Sequence, residues 1–221
     1  MSTFSSALHD VLSYDAPYLT EKLLKEHIVE SLEEGEALFR EVKRFIVLVR
    51  SDDTTLWDMH SLRIDEVWHQ FVLFTAEYIA FGQRFFGTYI QHSPSNAPIA
   101  DATGAPRVSS TFEDFKARYT VLFGEELPDL WYDEKQVTPN RRILNDNVGT
   151  ISLLDADGMS HLCDDAGEVL ISVNRFAHIP LKFICNTPTF YVRELPGDLD
   201  DDEKVALVST MMEFNLLRIA S

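Results

Sequence analysis

At 221 residues the chain is too long for a minimal single-core module and holds either one large domain or two small ones. Its 45% hydrophobic and 25% charged composition is that of a soluble globular protein with enough apolar volume for a core, which excludes global disorder. Thirty-six acidic residues against nineteen basic ones leave a formal charge of −17, which repels phosphate backbones and anionic lipid.

The charge therefore predicts no nucleic acid and no membrane partner. It favours cationic peptides, metal ions or basic protein surfaces, or serves only to keep the surface soluble. The opening residues Met1-Ser-Thr-Phe-Ser-Ser-Ala lack the basic flank and apolar run of a signal peptide, and there are two cysteines, Cys163 and Cys185. The longest apolar run, Phe45-Ile-Val-Leu-Val49, is flanked by arginines and is far short of a membrane span. A cytoplasmic, reducing location is expected.

From Thr20 to Arg50 apolar residues recur at spacings of three and four, including Leu38, Val42, Phe45, Ile46 and Val49. This predicts two helices, the first capped by Thr20 and the pair broken near Ser31. Asp52-Asp-Thr-Thr55 interrupts the pattern. Ser61 can cap a further helix carrying Ile64, Val67, Trp68, Phe71, Tyr78 and Ile79, apolar over most of its circumference and so central. The stretch between His92 and Ser110 is rich in Pro, Ala, Gly and Ser, has no period, and reads as a long loop of the kind that is mobile or functional. A helix from about Thr111 to Phe123 follows, ended by Gly124.

Glu125 to Asn147 reads as an irregular connection. Beyond it, Thr150–Leu154, Met159–Cys163 and Glu168–Val173 are strand-like runs separated by turn residues, a three-strand meander. A short helix near Ile179 to Cys185, an extended run Phe190–Glu194 and a helix from about Asp200 complete the chain. The predicted fold is mainly α. A helical bundle over residues 1–135 is followed by a small α+β unit over 136–221, compatible in outline with a winged helix.

The run Asp65-x-x-Trp68-His69, with Thr75, Tyr78, Gly87 and His92-Ser-Pro94, resembles the signature of the glycine-rich domain-containing protein-like family. The similarity extends from Glu41-Val-Lys-Arg-Phe45 to Tyr119, Phe123-Gly124, Pro128 and Trp131, about residues 30–135. Family members often carry Cys where this chain has Gly82, and the glycine-rich tail is absent here. The resemblance implies a helical domain and supplies no reaction.

Asp65 and His69 are four apart, so on a helix both project from one face and can bind one metal ion. His60, just before the helix, could reach the same end, and three such ligands would leave an open position on a transition metal. The same residues also suit a purely structural role, Asp65 complementing the helix N-terminus and His69 hydrogen-bonded beside Trp68. His92 is a more distant candidate. An unbroken helix would hold it about 35 Å from His69 at ~1.5 Å per residue. A helix stopping at Gly87 carries the chain roughly 27 Å away, and the extended residues that follow return only about 17 Å. A site shared by His69 and His92 therefore requires a break near Gly82, and the two histidines are expected to serve separate places.

Elsewhere, His161-Leu-Cys163 lacks further ligands at metal spacing. Asp155-Ala-Asp157-Gly158 opens like a calcium loop but has Ala166 where the bidentate Glu belongs, and so predicts a hairpin turn. Asp198 and Asp200 to Asp202 suit a helix N-terminus. Trp131 offers either an exposed aromatic contact or a pin for its loop on the helical core.

Two functions remain from the sequence. One is a non-enzymatic accessory protein that recognises a peptide or protein partner, with Trp68, Tyr78 and Trp131 as candidate binding residues. The other is a transition-metal-dependent enzyme or metal-binding subunit using Asp65 and His69, with His60 and His92 as further ligands.

Overall fold

The computed structural model describes residues 8–92 and 108–220, so most of the 93–110 segment and Pro94 lie outside the described residues. The chain divides into two compact units, Met1–Trp131 and Tyr132–Ser221.

In the first unit, α1 spans Pro17–Lys25 and α2 spans Leu32–Arg50. Helix α1 starts earlier than the pattern suggests because Pro17, with its fixed φ and missing N–H, occupies the first turn. Thr20 is thus an interior residue whose hydroxyl donates to the Pro17 carbonyl at 3.1 Å, not a cap. Ser31 caps α2, its Oγ accepting from Glu34 N at 3.1 Å. Leu38, Val42, Phe45 and Ile46 form the buried face of α2. A two-residue parallel pairing joins β1 (Thr55–Leu56) to β2 (Val108–Ser109).

Ser61 caps α3 (Leu62–Leu73), accepting from Ile64 N at 3.3 Å. The single long helix expected here is instead two, because Phe74 adopts φ −82° and ψ 64° and α4 begins afresh at Thr75, running to Phe86. Neither Gly nor Pro marks this break. The Phe74 ring packs on Tyr18 of α1, centroids 4.8 Å apart, and Lys22 lies over it at 6.0 Å, so a tertiary contact holds the kink. Gly87, at φ 68°, ends α4. Helix α5 (Phe112–Phe123) opens with a capping box between Thr111 and Asp114 and closes on Gly124 at φ 70°.

The second unit corrects the expected fold class. The protein is mixed α+β, not a mainly α bundle with a winged-helix unit. Two separate antiparallel three-stranded sheets form here, with strands in the order 189–191, 142–144, 218–219 and 152–156, 159–163, 169–174. Strand β3 (Arg142–Leu144) lies in the segment read as irregular, and β8 (Arg218–Ile219) follows the last helix. Both are too short to show a period. They are strands because Ile143 pairs with Phe190 of β7 (Thr189–Tyr191) on one side and Ile219 on the other, all three buried.

The meander comprises β4 (Ser152–Ala156), β5 (Met159–Cys163) and β6 (Val169–Asn174). Its first turn is the two-residue loop Asp157-Gly158, with φ 53° and 78°, the left-handed pair that a tight hairpin demands. Helix α6 is His178–Cys185 and α7 is Asp201–Glu213, the latter capped by Asp200 with Glu203. Leu162, Leu181, Ile184, Val192, Val208 and Met211 fill the core between them. Among the described residues no helix is long and apolar enough to cross a membrane.

Candidate metal centre

Asp65 and His69 leave the same face of α3 one turn apart, with Asp65 Oδ2 3.7 Å from His69 Nδ1. His92 comes to the same place. Its Nε2 lies 3.5 Å from Asp65 Oδ1, and its ring centroid is 4.6 Å from that of His69. One ligand atom from each of the three residues falls within 4.8 Å of the others. The return is possible because α4 doubles back from Phe74, so the distance expected from one continuous helix does not apply.

Gly82 contributes in a different way from the break expected there. It lies inside α4, and a Cβ on it would sit 2.6 Å from the Thr88 carbonyl oxygen and 3.4 Å from Ile90 N. Its missing side chain lets the chain after Gly87 lie directly on the helix it has just left.

A buried hydrogen-bond chain then fixes where that segment goes. Trp68 Nε1 donates to Tyr78 Oη at 3.0 Å, and Tyr78 Oη donates to the Ile90 carbonyl at 2.8 Å. Burial pushes the Tyr78 hydroxyl up to about 12, which keeps it a neutral donor. Two residues beyond Ile90, the His92 ring stacks on Trp68, centroids 4.1 Å apart and planes 28° apart. Trp68 and Tyr78 are thus buried supports of the cluster, 5% and 1% exposed.

The cluster is graded in exposure, with side chains 46% exposed at His69, 25% at Asp65 and 13% at His92. His92 Nε2 is itself buried and has no hydrogen-bond partner among the described residues. Desolvation lowers the His92 pKa, with Asp65 opposing and His69 reinforcing the shift. A neutral imidazole with an uncommitted nitrogen facing a carboxylate is the form that coordinates metal. Two imidazoles and one carboxylate suit borderline first-row ions and zinc. Two ligands about 2.1 Å from a tetrahedral ion stand about 3.4 Å apart; His92 lies 3.5 Å from Asp65 Oδ1 and His69 3.7 Å from Asp65 Oδ2, so these distances engage both carboxylate oxygens.

His60 takes no part in this cluster. Its ring packs on Phe112 and Phe115 at 5.0 and 5.3 Å, and its pKa is lowered by burial. Trp131 is 1% exposed and pins its loop, donating Nε1 to Glu41 Oε2 at 2.9 Å. Glu41, inside α2, also accepts from Tyr119 Oη at 2.8 Å and from Arg44 Nη1 at 3.3 Å, while Arg44 reaches Glu125 at 3.0 Å. This buried polar knot escapes sequence reading, because Glu41 looks like one more charge on an amphipathic helix.

In the second unit, His161 bonds Ser172 Oγ at 2.8 Å and Cys163 is buried, a pair of strand residues that no further ligand joins among the described residues.

Residues 10–105 match the family model described as UCP032817-like. The match contains Asp65, His69 and His92 and stops short of α5 and the whole second unit. No curated protein matches the chain.

Proposed function

We propose that Asp65, His69 and His92 hold one transition-metal ion, and that the first unit is a metal-dependent enzyme or the metal-binding subunit of one. The observation that carries this is the buried Nε2 of His92, without a hydrogen-bond partner among the described residues, set 3.5 Å from Asp65 and beside His69. Three protein ligands leave at least one position for water, oxygen or substrate, as in catalytic rather than closed structural sites. His69, the most exposed of the three, borders the solvent side of the cluster. Trp68, Phe71 and Tyr78 form the dry wall behind it.

The resemblance to the glycine-rich domain-containing protein-like family belongs to the same proposal. Asp65, Trp68, His69, Tyr78 and His92 of the shared run are the residues that meet at the cluster. The competing expectation, recognition of a peptide or protein, draws on the acidic charge and on the 93–110 segment, most of which lies outside the described residues.

The test is elemental analysis of protein purified free of metal and reconstituted in turn with zinc, iron(II), manganese(II) and cobalt(II). Stoichiometric binding of one of them, lost in His69→Ala and in His92→Ala with the fold intact by circular dichroism, is expected. Substoichiometric binding of all four, or occupancy unchanged by both substitutions, overturns the proposal.

A further inference from the structure

The second unit contains a cleft of about 470 Å³, within the size range of small-molecule sites, between the segment 148–153 and helix α6. Its apolar lining is Val148, Ile151, Leu153 and Cys185. Burial pushes the Cys185 thiol up, so at neutral pH this wall carries a neutral sulfhydryl rather than a reactive thiolate. The ionisable side chains along the rest of the lining are His178 and Lys182, one turn apart on α6, and no carboxylate lines the cleft.

That composition runs against the rest of the chain, which carries 36 acidic and only 19 basic residues. Among the described residues Lys182 has no carboxylate within ion-pair distance, although acidic partners are abundant in the sequence. His178 is held for use at its other nitrogen. Its Nδ1 lies 2.9 Å from Asp155 Oδ1, which also accepts from Ser160 Oγ at 2.8 Å, and these two bonds hold the Asp155 carboxyl below its ordinary range. Asp155 therefore fixes the ring orientation and leaves Nε2 as the ring nitrogen open to a ligand.

We infer that the cleft lined by Ile151, Leu153, His178 and Lys182 binds a small organic anion, a carboxylate or phosphate ester with an apolar body. The acidic group meets Lys182 Nζ beside the His178 imidazole, and the body covers Ile151, Leu153 and Cys185. Asp155 acts as a positioning residue through His178. The inference is independent of the metal centre, which is built entirely from residues of the first unit.

The experiment is chemical-shift mapping on the full chain, prepared metal-free so that anions cannot bind through an ion at the first unit. Benzoate, phenyl phosphate, inorganic phosphate and the uncharged benzyl alcohol are titrated separately. Benzoate or phenyl phosphate is expected to shift saturably the amides of Gly149, Ser152, Lys182 and Asn186, with benzyl alcohol without effect. Lys182→Met, at an exposed position that the fold tolerates, weakens the response about tenfold or more, as loss of a charge-assisted contact requires. His178→Gln weakens it comparably, and Asp155→Asn does so less. Equal shifts from benzyl alcohol, a response unchanged in Lys182→Met, or no saturable response to any of the anions overturns the inference. Inorganic phosphate acting as well as phenyl phosphate overturns the role given to the apolar wall.

Discussion

Replacing Glu41 by alanine removes one carboxylate and disturbs three partners at once. Tyr119 keeps its bond to Arg44 and Arg44 keeps its pair with Glu125, but Trp131 Nε1 loses its acceptor inside the protein. An orphaned indole donor costs about 1–3 kcal/mol, and removal of one member of a buried charge network raises the total to about 3–5 kcal/mol. For a unit of this size that corresponds to a fall in melting temperature of roughly 10–20 °C. All three tryptophans, Trp57, Trp68 and Trp131, lie in the first unit, so tryptophan fluorescence during urea denaturation reads that unit selectively. A loss below about 1 kcal/mol, the range of exposed ion pairs, would refute the reasoning.

The pH arm has a definite sign. Desolvation raises the Glu41 pKa above its ordinary 4.5, against the hydrogen bonds from Trp131 and Tyr119 and the charge of Arg44. The folded state therefore holds this proton more tightly than the unfolded one. Its contribution to stability is complete below 4.5 and disappears as pH rises through the folded value. Measured against Glu41→Gln, which cannot titrate, wild-type stability should decline from about pH 4.5 upward and then level off. A wild-type stability that instead rises relative to Glu41→Gln over that interval contradicts the burial argument.

Other consequences concern the return of the chain to the metal centre. Gly82→Ala places a methyl group against the Thr88 carbonyl, so it should cost about 1–3 kcal/mol by overpacking. It should also weaken metal binding about tenfold by displacing His92, as measured by competition with a chromogenic chelator. Unchanged affinity would mean that the approach of residues 88–92 does not position the ligand. Tyr78→Phe leaves Trp68 Nε1 and the Ile90 carbonyl unpaired and should cost about 1–3 kcal/mol by chemical denaturation, with a similar loss of metal affinity. In the second unit, Gly158→Ala forces a side chain into φ 78° and should cost about 1–2 kcal/mol, seen as an earlier transition in far-ultraviolet circular dichroism.

Several elements are legible because a local signal produces them. Ser61, Thr111, Gly124 and Asp200 mark helix ends by their own side-chain or backbone chemistry, and Asp157-Gly158 marks its turn in the same way. The break at Phe74 has no such marker. A ring seated on Tyr18 of another helix imposes it, and with it the position of His92. The same distinction explains why β3 and β8 escape notice, since two or three residues become a strand only through their partners. Asp65 and His69 announce themselves by a four-residue spacing. Their third partner lies 23 positions further along, and an argument from helix length places it too far away because it assumes a straight helix.

Trp131 is the final residue of the first unit, yet its indole is bound to a carboxylate near the middle of α2. Any dissection of the chain must therefore cut after this tryptophan. A fragment ending at residue 130 would keep every α-helix of the first unit and still melt early, with a buried glutamate short of a donor. The practical border between the two units is thus set by one side-chain hydrogen bond rather than by the end of the last α-helix.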